Sequence, residues 1–203
     1  MAGDCRKQSN AWRLLRIAAF IGGRGDNPLK SLTLCVVAEN LESGVIGKTV
    51  LVTGAAKRVG RSIALELHAT GANIMVHYRS ATAEAEALVT ELNTLRAGSA
   101  HCLQANLLDI EALSMLVGST VAHFGRLDAL VNNASSFFAT ALGEIDLAAW
   151  DDLIGSNFKA PLFLTQAAAP DLRAAHGAVI NITDIHAERP LAGFPLYCAA
   201  KAG

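Results

Sequence analysis

From Lys48 onward the apolar positions alternate between two rhythms: short aliphatic runs, and longer segments in which apolar residues recur at spacings of three and four. These are the periods of buried strands and of amphipathic helices. Residues 49–53 (TVLVT) predict a strand, followed by a glycine-containing turn and a helix to Thr70 that Gly71 ends. Asn73–Tyr78 (NIMVHY) predicts a second strand, and residues 82–96, with Leu88, Leu92 and Leu95 in one row, a second helix. A third strand follows at 101–104. Asp109 is placed to cap a helix striped by Leu113, Leu116, Val117 and Phe124 and closed by Gly125. Residues 129–131 form the fourth strand, Asp146 can cap a helical region containing Trp150, Leu153, Ile154 and Phe158, and residues 178–182 (AVINI) form the fifth. Strands alternating with helices predict an α/β fold with a doubly wound parallel sheet. Ligands bind such sheets beyond the carboxyl ends of the strands, so the residues that follow each strand are the candidates for function.

Composition narrows the class. The chain has 203 residues, 52% of them hydrophobic, with 17 basic and 18 acidic side chains and a formal net charge of -1. That suffices for one domain of this kind and is too little for two. The charge balance offers no basic face for nucleic acid, which leaves a small molecule as the expected partner. Cys5, Cys35, Cys102 and Cys198 stand far apart, and no Cys/His cluster has metal-ligand spacing, so neither a metal site nor a disulfide framework is expected. The apolar runs 17–21 and 32–38 fall short of the roughly 18 residues a membrane span requires, and a cytoplasmic protein is expected. Residues 1–44 carry Arg6, Lys7, Arg13 and Arg16 before a short apolar stretch and Gly22-Gly23-Arg24-Gly25. Arg16 interrupts the apolar part and no small-residue cleavage site follows, so this segment reads as a disordered extension rather than a targeting peptide, and 45–203 as the folded domain.

The chemistry sits after the strands. Thr53-Gly54-Ala55-Ala56-Lys57-Arg58-Val59-Gly60 leads from the first strand into a helix N-terminus. Free helix N–H groups and the positive dipole end there can bind phosphate, and Gly54 and Gly60 allow close backbone approach. The strict G-x-G-x-x-G is absent, and the other reading of the turn, taken alone, is a plain strand-to-helix connection. At the end of the second strand, where an acid would accept the adenosine ribose hydroxyls of NAD, stand His77-Tyr78-Arg79-Ser80. The Arg79 guanidinium and Ser80 hydroxyl can hold a 2'-phosphate, with Arg58 as a second cation, which favours NADP; the other reading of Arg79 is a solvated turn residue. Tyr197 and Lys201, four apart, share a helix face. An ammonium beside a phenol is expected to lower the phenol from its usual pKa of about 10 toward the range of useful proton exchange.

The Thr53 turn, Asn132-Asn133-Ala134 after the fourth strand, Asn157 in the next helix and the Tyr197/Lys201 pair follow in the order and spacing of the short-chain dehydrogenase/reductase family, which the chain resembles over residues 45–203. Within it, residues 53–62 (TGAAKRVGRS), 77–80 (HYRS), 131–138 (VNNASSFF) and 197–201 resemble pteridine reductases. So do two departures from the general pattern: Arg58 in place of the middle glycine, and Asp184, thirteen residues before Tyr197, where most relatives have a catalytic Ser. The resemblance implies a Rossmann-type domain holding NADPH through Thr53, Gly54, Arg58, Gly60, Tyr78, Arg79, Ser80, Asn106, Asn133, Ala134, Ser135, Thr183, Tyr197 and Lys201. It implies reduction of a C=N bond in a dihydropterin or dihydrofolate. Tyr197 would supply or relay the proton, Asp184 would pair with ring N–H groups, Lys201 would bind the nicotinamide ribose, and Asn157 would hold a relay water. Ser135, Phe137, Asp184 and Tyr197 would meet the substrate, Phe137 by stacking; the other reading of Phe137 is a loop residue packed into the core.

Asn106 stands where relatives have an Asp that accepts from the adenine amino group; Asn can still accept through its carbonyl, and modestly weaker cofactor binding is expected. Relatives continue for two more strands and further helices, so the chain reads as a fragment, a domain truncated at its C-terminus with its fifth strand left as an exposed edge. The full-length form is expected to be a homo-oligomer, commonly a tetramer. Two alternatives remain: a general carbonyl or 3-oxoacyl reductase, which Arg58 and Asp184 disfavour, and a truncated NADPH-binding remnant without turnover.

Overall fold

The structure, a computed structural model, describes residues 15–18 and 44–203. Six strands make one parallel sheet: β1 (Leu15–Ala18), β2 (Thr49–Val52), β3 (Asn73–Tyr78), β4 (Ala100–Gln104), β5 (Ala129–Asn132) and β6 (Ala178–Thr183), in the order β1-β6-β5-β2-β3-β4. Helices α1 (Arg58–Ala69), α2 (Thr82–Leu95), α3 (Ile110–Phe124), α4 (Leu147–Ile154), α5 (Ala160–Ala175) and α6 (Pro195–Ala202) complete the described chain. This is the doubly wound α/β sheet that the alternating pattern predicts.

Successive strand residues face opposite sides of a sheet, so a strand covered on both faces must be apolar throughout. Val50, Val52, Ile74 and Val76 pack with Ile63 and Ala64 of α1 and with Ala85, Leu88 and Leu92 of α2. Their neighbours Leu51 and Met75 face the other way, against Leu113, Leu116 and Val117 of α3 and Leu164, Ala168 and Leu172 of α5. Each large aliphatic side chain buried in this way contributes about 1.5–3 kcal/mol. A smaller cluster of Leu153, Leu196 and Tyr197, with Phe194 against it, seats α6 on α4. The predicted caps form: Asp109 accepts from the Glu111 N–H at 3.0 Å, Asp146 from the Ala149 N–H at 2.7 Å, and Gly125 closes α3 in the left-handed conformation.

Two features differ from the sequence reading. The helical region after Asp146 is not one regular helix: residues Gly155–Lys159 wind as a π-helix between α4 and α5. Pro161 accounts for this, since it has no N–H to return to the carbonyl four residues back, that of Asn157, and its ring crowds that turn. The second difference is at the sheet edge. Leu15–Ala18 runs parallel to β6 with Leu15 opposite Ile180 and Ala18 opposite Thr183, so the edge expected to be exposed carries a strand. Pairing there is through backbone groups, which every residue supplies, and a side-chain pattern interrupted by Arg16 does not report it. The remainder of the expected extension, with Cys5 and Cys35, lies outside the described residues. Among the described residues no helix is long and apolar enough to cross a membrane.

The direction of winding reverses at β2, which has β3 on one side and β5 on the other. A crevice opens at the carboxyl ends of these strands, and the candidate residues gather there.

Candidate active site

Thr53, immediately after β2, is 1% exposed and braces the reversal point. Its hydroxyl donates to the Val131 carbonyl at 3.2 Å and accepts from the N–H groups of Asn133 at 2.9 Å and Ala134 at 3.0 Å. The Asn133 side-chain amide returns the tie, donating to the carbonyls of Thr53 at 2.8 Å and Gly54 at 3.2 Å. Gly54 has φ +62°, and a Cβ there would lie 3.0 Å from the Ala134 backbone. A Cβ at Gly60 would fall 2.3 Å from the Gly54 oxygen and 2.5 Å from the Asn133 amide nitrogen, so both glycines are required by the packing of the turn. Lys57, the N-cap of α1, makes no side-chain cap, and the first turn of that helix holds no acid. Its free N–H groups and positive dipole end therefore face the crevice with no anion from the helix itself. A backbone that glycines bring close, at an uncapped helix start, fits the pyrophosphate of a dinucleotide.

Arg58, Arg79 and Ser80 are all exposed at this end of the sheet, while Tyr78 is buried at 8% exposure. Arg58 has φ +53°, the left-handed backbone that the usual glycine supplies without strain. Lys57, to which the sequence reading gave no role, pairs with Glu84 of α2 at 2.6 Å. Asn106 is exposed, and its side-chain oxygen is already engaged, accepting from the Leu108 N–H at 3.2 Å in a local turn. That contact competes with the adenine contact expected of it.

Across the crevice, Asn157 is buried inside the π-helix, and Ser135 is tied to it: the Ser135 hydroxyl donates to the Asn157 side-chain oxygen at 2.6 Å. The Asn157 amide donates to the carbonyls of Leu153 and Ser136, each at 2.9 Å. Ser136, another residue without an expected role, fixes the same loop by donating its hydroxyl to Asp152 and its N–H to the Ser156 hydroxyl. Phe137 is 55% exposed, stacked on Phe194 at 4.7 Å and edge-on to Tyr197 at 4.7 Å. One face is backed by an aromatic ring and the residue is half open, so it is not a core residue.

The structure brings Asp184, Tyr197 and Lys201 together. Asp184 follows β6, and one of its oxygens caps the short helix Ile185–Ala187 through the His186 N–H at 2.9 Å. The other accepts from the Tyr197 hydroxyl at 2.8 Å. Lys201 donates to the Ile182 carbonyl at 3.1 Å, and its ammonium lies 5.9 Å from the centre of the Tyr197 ring. The expected lowering of the phenol by this ammonium is not the net result. Burial first, and then the hydrogen bond and charge of Asp184, push the Tyr197 pKa up, while Ser135 opposes them. Burial lowers the Lys201 pKa against the pull of Asp184. The phenol is therefore held in its protonated form at neutral pH. Thr183 ends β6 beside a cavity of about 490 Å³, whose lining includes Ala134, Asn157, Thr183 and Lys201.

His77, within β3, is a further residue for which the sequence predicts no role. It is 1% exposed and bonded to Gly54 and to Ala105. Its neighbours come from the strands on either side, and nothing local in the sequence signals them.

The family model for short chain dehydrogenase matches residues 48–203. Pteridine reductase 1 of Leishmania tarentolae is 36% identical to this chain over 189 residues, covering 74% of the chain and 65% of the relative. The 3-oxoacyl-(acyl-carrier-protein) reductase FabG of Staphylococcus aureus is 38% identical over 157 residues, covering 77% and 63%. The 3-oxoacyl-(acyl-carrier-protein) reductase of Synechocystis is 33% identical over 162 residues, covering 79% and 65%. The chain thus spans a little under two thirds of the length of these relatives, and the two kinds of reductase resemble it to a comparable degree. On the family match, together with the braced turn and the Tyr197/Lys201 helix, the chain belongs to the short-chain dehydrogenase family.

Proposed function

We propose that this chain carries the cofactor-binding and proton-donating part of an NADPH-dependent reductase of pteridine rings, dihydropterin or dihydrofolate. The observation that carries the reading is the 2.8 Å hydrogen bond from the Tyr197 hydroxyl to Asp184. A neutral hydroxyl in place of Asp184 would suit a simple carbonyl oxygen. A carboxylate offers several acceptor sites, enough to hold the tyrosine and a ring N–H together. Such N–H groups line the edge of a pterin and are missing from a 3-oxoacyl chain.

The contacts and the exposure of the residues support a role for each. Thr53, Gly54, Gly60, Asn133 and Ala134 shape the turn for the pyrophosphate, and Arg58, Arg79 and Ser80 supply cations and a hydroxyl for a 2'-phosphate beside Tyr78. Asn106 faces the adenine side with its carbonyl partly engaged. Bound NADPH supplies the hydride. Tyr197, held protonated, donates to the ring nitrogen next to the carbon being reduced. Asp184 orients that hydroxyl and the substrate edge. Lys201 and Thr183 serve the nicotinamide ribose, and Asn157, anchored through Ser135, holds the path by which the tyrosine regains its proton. Phe137, backed by Phe194, presents its open face for stacking.

A second reading, 3-oxoacyl reductase, is favoured by the 38% identity to FabG. NADPH consumption separates the two when wild type and Asp184→Ser are each given dihydrobiopterin, dihydrofolate and a 3-oxoacyl thioester. The expected result is pteridine turnover by the wild type, falling by about a hundredfold or more in the variant. Faster turnover of the thioester, retained or improved in Asp184→Ser, would establish the second reading. NADPH binding with no turnover of any substrate would mark a cofactor-binding remnant.

A further inference from the structure

One buried titratable side chain beside the crevice takes no part in the chemistry above. His77 is 1% exposed, and its ring spans the ends of three strands. Nδ1 lies 3.1 Å from the N–H nitrogen of Gly54, just past β2, and Nε2 lies 3.1 Å from the carbonyl of Ala105, just past β4. Its own backbone carbonyl accepts from the Ala55 N–H at 2.9 Å. A nitrogen facing an N–H must accept and a nitrogen facing a carbonyl must donate, so only the neutral ring with its proton on Nε2 satisfies both contacts. Burial agrees: it holds the pKa down to about 4, against the opposing effect of the Ala105 carbonyl.

Gly54 is the residue for which such a hold matters. It opens the phosphate turn at φ +62°, its carbonyl is tied to the Asn133 amide at 3.2 Å, and its N–H is tied to His77. Without the imidazole, the partly buried N–H of Gly54 would be left without this partner, or the turn would rotate to find water. We propose that His77 is a positioning residue for the dinucleotide: its imidazole pins the N–H of Gly54 so that the phosphate turn keeps its shape before the cofactor arrives, while the bond to Ala105 serves only to anchor the side chain. The inference rests on the NADPH-binding reading above.

Asparagine and glutamine dissect the two bonds. An asparagine amide places its oxygen near the position of Nδ1 and can keep the Gly54 contact, whereas a glutamine amide reaches the position of Nε2 and keeps only Ala105. Calorimetric titration of NADPH into the full chain is the test, with thermal melting of the same samples. Each variant loses one bond from the same buried side chain, so their melting temperatures fall alike. The Kd of His77→Asn stays within about twofold of wild type, and that of His77→Gln rises about tenfold. Equal affinities in the two variants, with wild type binding normally, would overturn the positioning role alone. No NADPH binding by the wild type would overturn the proposed function and this inference with it. The imidazole ¹⁵N shifts of the wild-type chain test the same idea without any variant. A ring protonated on Nε2 alone at neutral pH supports it, and a proton on Nδ1 overturns it.

Discussion

Arg58 carries two physical demands at one position. Its backbone lies at φ +53°, where an L-residue sits about 1–2 kcal/mol above its preferred conformations, and its exposed guanidinium stands at the start of α1. Glycine would meet the backbone demand and abolish the cation. Arg58→Gly is therefore expected to raise the melting temperature by about 2–4 °C, the equivalent of about 1 kcal/mol in a chain of this size. It is also expected to raise the KM for NADPH about tenfold while leaving that for NADH nearly unchanged. Steady-state kinetics with both cofactors check this, and an unaltered preference would mean that Arg79 and Ser80 recognise the 2'-phosphate without Arg58. Tyr197 shows the opposite limit of residue-level reasoning. Its partner Lys201 is legible as a same-face neighbour four residues on, but the net direction of the phenol pKa is set by burial against Leu153 and Leu196 and by Asp184, which only the fold brings near.

Among the elements, β3 and the caps at Asp109 and Asp146 were legible because their signals are local: an unbroken apolar run, or an acceptor just ahead of a helix. The π-helix at Gly155–Lys159 was not, because the residue responsible, Pro161, lies beyond the segment it distorts. β1 was not, because backbone pairing along β6 asks nothing of side chains. The π-helix matters for function, since it holds Asn157 where the amide reaches both Leu153 of α4 and Ser136 in the loop after β5. Pro161→Ala restores an N–H that can bond the Asn157 carbonyl and draw residues 155–161 toward regular α geometry. The expected outcome is a melting temperature equal to or above wild type with kcat reduced about tenfold and the KM for NADPH unchanged. Full retention of kcat would show that the Asn157 contacts hold the segment without help from the proline.

For the whole molecule, the division of labour runs along the strands. The carboxyl ends, where Thr53, His77 and Asn133 spend their hydrogen bonds on loop backbone, form the crevice; the amino ends are locked by Asp128. This carboxylate, 7% exposed, accepts from the Thr49 N–H at 2.9 Å, from Arg126 through two bonds of 2.6 Å, and from Lys48 at 3.1 Å, while its backbone pairs with Thr49 and with Ala178. It thus clamps the starts of β2, β5 and β6. Burial alone would raise its pKa and is the largest single influence, but the hydrogen bonds from Arg126, Thr49 and Lys48 together outweigh it and leave the pKa lowered. A carboxylate whose pKa is depressed on folding contributes stability above its unfolded value of about 3.9, and that contribution fades as pH falls through the folded value below it. Asp128→Asn is expected to cost about 2–3 kcal/mol at neutral pH, since it leaves Lys48 and Arg126 without their partner. Urea unfolding of wild type and variant at a series of pH values gives the difference between them directly. That difference should hold steady from neutral pH down to about 5 and shrink below about 4 as the wild-type carboxylate takes up its proton. A difference that did not shrink at low pH would assign the clamp to the geometry of the side-chain hydrogen bonds, which an amide does not reproduce, rather than to the carboxylate's charge.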